Sequence, residues 1–397
     1  MRYPVVEMPL ADGRDALAAA NPVAVVIAEP RLEPAALADI LRQIEQMGGP
    51  YVPVLARLPD RGGPPPTLAI LPMSPEATPA HLVARLTSAL RVRAMHATVQ
   101  RRAAAQDKTS TLAFGGSDAL DQATVLVAGR GGGYPALTLA VGERVGLIGA
   151  LSLETAKRYL EGRDIDGIVI GDGFSARAVE TFLDALGSDV RFRDLPIVVA
   201  DSRIGALDLE RLANADRVRG GADRVLAHLL PLVALHAFAG RLRRLSRSLE
   251  TKGLLDADTG LLTCDAFRRD LTRAVEDCKK RMASLSLARF SFERIDRHAS
   301  IDAARIVGRL VRTTDFACQH DDGSLHVAFG DTDLKAAHVV ARRIASVLKH
   351  TMLVPDPDAP RLNPDVALVT RKASDTAETL LARVNPAKAH AAAVAAG

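Results

Sequence analysis

The chain has 397 residues, 48% of them hydrophobic and 25% charged, with a formal net charge of +4. That composition suits a soluble globular protein of about three domains, and so small a charge excess gives no ground for a nucleic-acid partner. The cysteines, Cys264, Cys278 and Cys318, have no metal-ligand spacing and are odd in number, which argues against a disulfide framework, so a reducing compartment is expected.

The opening stretch MRYPVVEMPLADGRD has no basic region followed by an apolar core, so no secretory signal is expected. Val23 to Ala28 (VAVVIA) is a continuous apolar run of buried-strand type, followed by a helical pattern through Leu37, Ile40, Leu41 and Ile44. Tyr51 to Leu55 and Thr67 to Leu71 read as further strands, and the Pro/Gly segment Asp60 to Pro66 as a loop. Thr78-Pro79 then opens a long helix, Thr as cap and Pro at the first position. Leu82, Val83, Leu86, Leu90 and Met95 are expected on its apolar face.

Gln106 to Ala119 is polar and Gly-rich and reads as a linker. Beyond it, strands are predicted at Val125 to Ala128, Val145 to Gly149, Gly167 to Ile170 and Pro196 to Ala200. Ala156 to Leu160 and Ala176 to Leu186 fall in helices between them. The run Ile165 to Ile170, with Leu195 to Ala200 after it, resembles a response-regulator receiver domain, and the first segment resembles a more eroded copy. Receivers hold magnesium on an acidic pair, accept phosphate on an Asp and sense it through a Thr/Ser and a Lys. Here the acidic pair maps to Gly129 and Arg130, and the acceptor to Gly171, with Asp172 off by one and turned away. The Thr/Ser position falls on Asp201. In the first copy the acceptor falls on Ala28, beside Glu29. The resemblance therefore implies two flavodoxin-like pseudo-receivers that neither bind Mg²⁺ nor take phosphate.

Gly129-Arg-Gly-Gly-Gly133 fits neither G-x-G-x-x-G nor a Walker loop and is read as a flexible loop. The apolar run Val225 to Ala239, interrupted by His228, Pro231 and His236, is too short to span a bilayer, so a cytoplasmic location without membrane insertion is expected. Arg241, Arg243, Arg244 and Arg247 share a helix with Leu235, Leu242, Leu245 and Leu249. They are read as the solvated side of a connecting helix.

The last third carries the most specific pattern. Phe316 to Gln319 and Leu325 to Phe329 are strand-like, Asp321-Asp322-Gly323 supplies hairpin-turn chemistry, and Ile306, Val307, Leu310 and Val311 share one helical face before them. Asp256 to Phe267 (DADTGLLTCDAF), Leu285 to Asp296 (LSLARFSFERID) and Asp375 to Arg383 (DTAETLLAR) complete the set. In this order they resemble the GGDEF domain of diguanylate cyclases, an α+β nucleotidyl-cyclase-like fold, with Asp258, Thr263 and Cys264 as departures in the first motif. The signature itself is replaced by Asp321-Asp322-Gly323-Ser324-Leu325, and the first metal-binding Asp by Ala288. Neither Ala288 nor Ser324 can hold the metals that phosphoryl-type chemistry needs, and Asp321 and Asp322 would repel a triphosphate. The interval from Phe292 to Asp321 is also shorter than the family's. No catalytic residue, metal or cofactor is therefore expected.

The family's inhibitory c-di-GMP site, R-x-x-D, is matched at the same offset by Arg312 and Asp315. Arg343, or its neighbour Arg342, stands where a second arginine completes that site. An Arg fork can bond guanine O6 and N7 while a carboxylate accepts the N1 and N2 protons. The plainer reading is an ordinary helix-terminal pair; the same pattern at Arg57/Asp60, Arg163/Asp166 and Arg191/Asp194 is taken as surface ion pairs or loops. His320 and His326 flank the turn and are assigned no chemistry.

The expected organisation is residues 1–105 and 120–232 as receiver-like domains, 233–255 as a connecting helix and 256–397 as the degenerate GGDEF domain, resembling PleD-type and, more closely, PopA-type regulators. The implied function is a non-catalytic, homodimeric c-di-GMP receptor or adaptor. The alternative is a scaffold that binds no nucleotide.

Overall fold

The computed structural model describes residues 4–9, 12–13, 17, 22–28, 34–57, 68–74, 77–105, 120–201, 203–205, 207, 209, 211–293, 295–350 and 363–385. The expected linker and Pro/Gly loop, and Glu29, lie outside them. The chain divides into two compact units, Met1–Tyr159 with Ile165–Leu242, and Leu160–Asp164 with Arg243–Gly397.

In the first unit, β1 (Val25–Ile27), helix α1 (Pro34–Met47), β2 (Val54–Arg57), β3 (Ile70–Met73) and helix α2 (Pro79–Ala104) follow in order. The strands form a parallel sheet, β1-β2-β3. A second parallel sheet holds β4 (Thr124–Ala128), β5 (Gly146–Ala150), β6 (Gly167–Ile170), β7 (Ile197–Val199) and β8 (Ala215–Arg217), ordered β5-β4-β6-β7-β8. Counted within this sheet the order is 2-1-3-4-5, the flavodoxin-like arrangement. The first sheet has the consecutive order of that arrangement's last three strands. Strands β4, β6 and β7 are buried along their whole length, as a parallel sheet covered on both faces requires. Helices α3 (Tyr134–Gly142), α4 (Leu153–Gly162) and α5 (Ala176–Gly187) connect them.

Helix α2 is capped as its sequence predicts: Thr78 Oγ1 accepts from the His81 N–H at 3.1 Å and Pro79 stands at the first position. Its buried face is a different one. His81, Arg85, Ser88, Ala89, Val92, His96, Val99 and Ala103 point inward, while Val83 is 59% exposed. The reason is Arg85, which is wholly buried. Its guanidinium donates to the carbonyls of Ala213 at 3.1 Å and Ala215 at 3.2 Å, to Asp216 Oδ2 at 3.0 Å and to the Pro72 carbonyl. It thus joins the β3 edge of one sheet to the β8 edge of the other. Asp216 also meets His228 Nδ1 at 3.4 Å. Burial works to raise the Asp216 carboxyl, and the Arg85 guanidinium with His228 outweighs it, leaving the group below the ordinary carboxylate range.

Helix α6 (Ala222–Glu250) carries Pro231 inside it and contains the boundary between the units. Among the described residues it is the one helix long and apolar enough to cross a membrane by length and composition, longer than the run expected, and 78% of its apolar window is buried. Leu235, Leu242 and Leu249 are buried, Leu245 is half-buried, and Arg243 and Arg247 are exposed. Arg244 instead donates to the Ala257 carbonyl at 3.2 Å.

The second unit runs α7 (Cys264–Arg281), β9 (Leu285–Ser291), α8 (Arg297–Leu310), β10 (Phe316–Gln319), β11 (Leu325–Gly330), α9 (Leu334–Lys349), β12 (Asp365–Thr370) and α10 (Ala377–Val384). Its antiparallel sheet has the order β10-β11-β9-β12. Alternation along β9 sends Leu285 and Leu287 into a core with Phe267, Leu271 and Leu380, and Ala288 and Phe290 into another with Ile306, Val307 and Ile344. Helices therefore cover both faces.

The hairpin closes as its turn residues predict. The Gly323 N–H donates to the His320 carbonyl and the His320 N–H to the Ser324 carbonyl, both at 2.9 Å, with Gly323 left-handed at φ +77°. This is a type I turn followed by a glycine bulge.

Two outcomes are expected. Arg85→Ala strands a buried carboxylate and costs about 3–5 kcal/mol in denaturant unfolding. Between the depressed folded value and the unfolded carboxylate pKa of about 3.9, the unfolded state binds more protons. The Asp216 contribution is therefore present above that window and lost as pH falls through it, and Arg85→Ala flattens this dependence. Gly323→Ala places a Cβ 2.8 Å from Ile295 Cγ2 at a positive φ, which is expected to cost about 1–3 kcal/mol by the same measurement.

Candidate functional site

Helix α8 ends at Leu310, and six residues later the chain enters β10 at Phe316. Asp315 organises that passage. Its Oδ2 accepts from the Arg312 N–H at 3.2 Å and its Oδ1 from the Gly330 N–H at 3.3 Å, while its own N–H donates to the Arg312 carbonyl at 3.0 Å. The carboxylate is half-buried and held in one orientation by two backbone donors. Arg312 is exposed, and among the described residues its guanidinium has no hydrogen-bond or ion-pair partner. The pair is thus a fixed acceptor next to an uncommitted fork, and the two side chains form no ion pair with each other among the described residues.

Arg342 and Arg343 lie on α9, which packs beside α8, and both are exposed. Neither has a hydrogen-bond or ion-pair partner among the described residues, and none links them to Arg312 or Asp315. The structure brings Arg312 and Asp315 into one turn and leaves the two helical arginines on the neighbouring helix.

Ala288 and Ser324, expected from the resemblance to stand at metal positions, are engaged in packing and in the turn. Ala288 is fully buried in the middle of the sheet, opposite Val327 on one side and Leu368 on the other. Ser324 is 3% exposed; its N–H and hydroxyl donate to Asp322 Oδ1 at 2.9 and 2.6 Å. Asp322 also pairs with Arg289 at 3.1 Å. Burial works to raise the Asp322 carboxyl, but the Ser324 donors and Arg289 hold it below the usual range. The turn is therefore closed on itself by its own aspartate.

The DADTG loop is similarly self-contained. Asp256 Oδ1 accepts from the N–H groups of Asp258 at 3.1 Å and Thr259 at 2.8 Å and from the Thr259 hydroxyl at 2.7 Å, and Arg305 donates twice to the Asp258 carbonyl. Thr263 caps α7 through the Ala266 N–H at 3.4 Å.

His326, beside the turn, is 2% exposed, and burial, then the charge of His320, pushes its pKa down to about 4. Cys264 and Cys318, far apart in sequence, meet His320 beside the turn, and burial pushes the Cys318 thiol up. Cysteine spacing could not reveal this, because the partners come from a helix start, a strand and a turn.

In the first unit, Gly129 and Arg130 follow β4 and Gly171 follows β6, as expected. Asp172, however, faces the glycine loop: its carbonyl accepts from the N–H groups of Arg130 and Gly131 at 3.1 Å, and a Cβ on Gly131 would lie 2.2 Å from its carboxylate. Close approach, not flexibility, explains that glycine. Asp201 is chelated by Arg203 at 3.0 and 2.9 Å. Of the other R-x-x-D matches, Asp60 lies outside the described residues, and in the remaining two the Arg and the Asp pair with other residues. Arg163 and Asp166 are buried, with Asp166 accepting from the Thr124 N–H at 3.0 Å and meeting His236 at 3.1 Å. Arg191 chelates Asp189, and Asp194 pairs with Arg91.

No family model matches the chain, and no curated protein matches it. Among solved structures the chain is similar to the coiled coil and GGDEF domain of DgcB from Caulobacter crescentus, determined in complex with c-di-GMP. The identity is 17%, covering 37% of this chain and 84% of that one, with a TM-score of 0.32. A sensory box/GGDEF family protein from Caulobacter crescentus is similar at 20% identity, covering 33% of this chain and 93% of that one, with a TM-score of 0.30. The GGDEF domain of FimX from Pseudomonas aeruginosa is similar at 13% identity, covering 34% and 90%, with a TM-score of 0.30.

Proposed function

We propose that this protein is a non-catalytic c-di-GMP receptor whose C-terminal unit is a degenerate GGDEF domain and whose ligand site is built on Arg312 and Asp315. The observation that carries this reading is the pairing of an exposed, uncommitted guanidinium with a carboxylate already oriented by backbone N–H groups. An acceptor fixed in advance loses little entropy on binding a guanine edge, and the Arg fork adds a bidentate contact and charge for the phosphates. Arg343, with Arg342 as the alternative, supplies the second cation.

Loss of cyclase activity follows from the same unit. Ala288 has no ligand atom to offer, and the Ser324 hydroxyl is occupied by Asp322. Phosphoryl-type transfer without carboxylate-held metal lacks its main source of charge neutralisation. The first unit serves as receiver-like interaction modules without phosphoacceptor chemistry, since Gly129, Arg130 and Gly171 stand where carboxylates are needed. The whole acts as a cytoplasmic homodimeric adaptor, ligand binding at the turn changing what its protein partner meets.

Calorimetry with c-di-GMP on the full chain tests the site. Wild type should bind, and Arg312→Ala should weaken binding by at least about 10-fold, the loss of one charge-assisted contact. Tight binding untouched by that substitution moves the site elsewhere; no binding at tens of micromolar leaves a scaffold without nucleotide. Incubation with GTP and Mg²⁺ or Mn²⁺ should yield no c-di-GMP, and turnover would overturn the reading of Ala288 and Ser324.

A further inference from the structure

Beside the hairpin turn three soft ligands converge from three elements. Cys264 is the first residue of α7, Cys318 lies in β10 and His320 opens the turn; one ligand atom from each falls within 4.8 Å of the others. Cys264 Sγ is 3.7 Å from His320 Nδ1, while Cys318 Sγ approaches the other side of the ring, 3.8 Å from Nε2. A tetrahedral zinc ion with Zn–S of about 2.3 Å and Zn–N of about 2.0 Å sets its ligand atoms roughly 3.5–3.8 Å apart. Cys264 Sγ and His320 Nδ1 already stand near that separation, and Cys318 completes a set whose ligand atoms lie within 4.8 Å of one another.

The hydrogen-bond chain behind His320 fixes its tautomer. His326 Nε2 lies 3.3 Å from Asn385 Oδ1, an atom that can only accept, so the proton sits on Nε2 of His326. Neutral His326 then presents the Nδ1 lone pair, which accepts from His320 Nε2–H at 2.8 Å. The unprotonated nitrogen of His320 is accordingly Nδ1, the one directed at Cys264 Sγ. A ring held from behind through its other nitrogen is the arrangement metal-ligating histidines adopt.

We propose that Cys264, Cys318 and His320 form a Cys₂His site for a soft divalent cation of the Zn²⁺ class, with His326 and Asn385 positioning the imidazole. Thiolate and imidazole ligands select Zn²⁺ over Mg²⁺ or Ca²⁺, so this site is chemically distinct from a carboxylate magnesium centre. Two thiolates neutralise the ion's charge, which suits a cluster containing a fully buried sulfur. The metal would clip the start of α7 to the β10–β11 hairpin. The Cys264 thiol donates to the Gln319 carbonyl at 3.2 Å, a contact given up when the thiolate binds the ion.

The full chain, reduced and stripped with chelator, is titrated with Co²⁺ and followed by absorption. One equivalent should give a thiolate-to-cobalt charge-transfer band with tetrahedral visible bands, both displaced by Zn²⁺. Cys264→Ser should weaken Co²⁺ binding by at least about 10-fold, and Asn385→Ala by about 10-fold through the positioning chain. Cys278→Ala, outside the cluster, should leave the titration unchanged. Cys264 is half-buried, so its variant is the deciding one, with circular dichroism showing that it folds; Cys318→Ser buries a hydroxyl and is secondary. The proposal is overturned if no charge-transfer band forms, if folded Cys264→Ser titrates like wild type, or if the isolated protein carries a Cys264–Cys318 disulfide and takes up no Co²⁺ after reduction.

Discussion

Strand Leu285–Ser291 is hydrogen-bonded along both edges, to β11 and to β12, so its register decides which side chains each face of the second unit receives. A slip of one residue would exchange the Leu285/Leu287 set with the Ala288/Phe290 set and turn both cores inside out. With the register fixed, Ala288 is a packing residue between Val327 and Leu368, and His326 stands opposite Arg289. The same ladder aligns the hairpin, whose turn is then free to use Asp322 as an internal acceptor for Ser324 and Arg289. The chemistry at this end of the sheet is a consequence of strand pairing: a turn closed by its own carboxylate, and soft ligands gathered next to it.

The Arg312–Asp315 pair depends on a different device. Asp315 uses its carboxylate to satisfy backbone donors at the exit of α8 and at the end of β11, a task an ordinary loop acid performs for local order. The functional reading adds to that task without contradicting it, because each oxygen keeps a further lone pair. A side chain already immobilised for structural reasons is a better receptor than one that must be ordered by its ligand.

How much of this was legible in the sequence varied with the kind of signal. Strands β9, β10 and β11 and the turn between the last two were, because their apolar runs are clear and Asp321-Asp322-Gly323 admits few conformations; β12 was not read. Strand β8 was not, since Ala215-Asp216-Arg217 carries two charges in three residues and reads as loop until Arg85 is known to neutralise one of them. The same ion pair explains why the inward face of α2 was misassigned: periodicity weighs hydrophobicity, and the buried stripe there contains Arg85, His81 and His96. The Arg312 and Asp315 positions were read from a register to a known motif. The meeting of Cys264, Cys318 and His320 was out of reach, because no spacing rule describes ligands drawn from three separate elements.

A border visible in composition need not be a seam in energy. The polar stretch between the two sheets of the first unit invites a division into independent modules, yet Arg85 reaches across from one to satisfy carbonyls and a carboxylate at the rim of the other. Losing either half would remove the partner of a charge that is buried in the intact unit. The amino-terminal piece is therefore as much a stopper for the second sheet as a sheet in its own right.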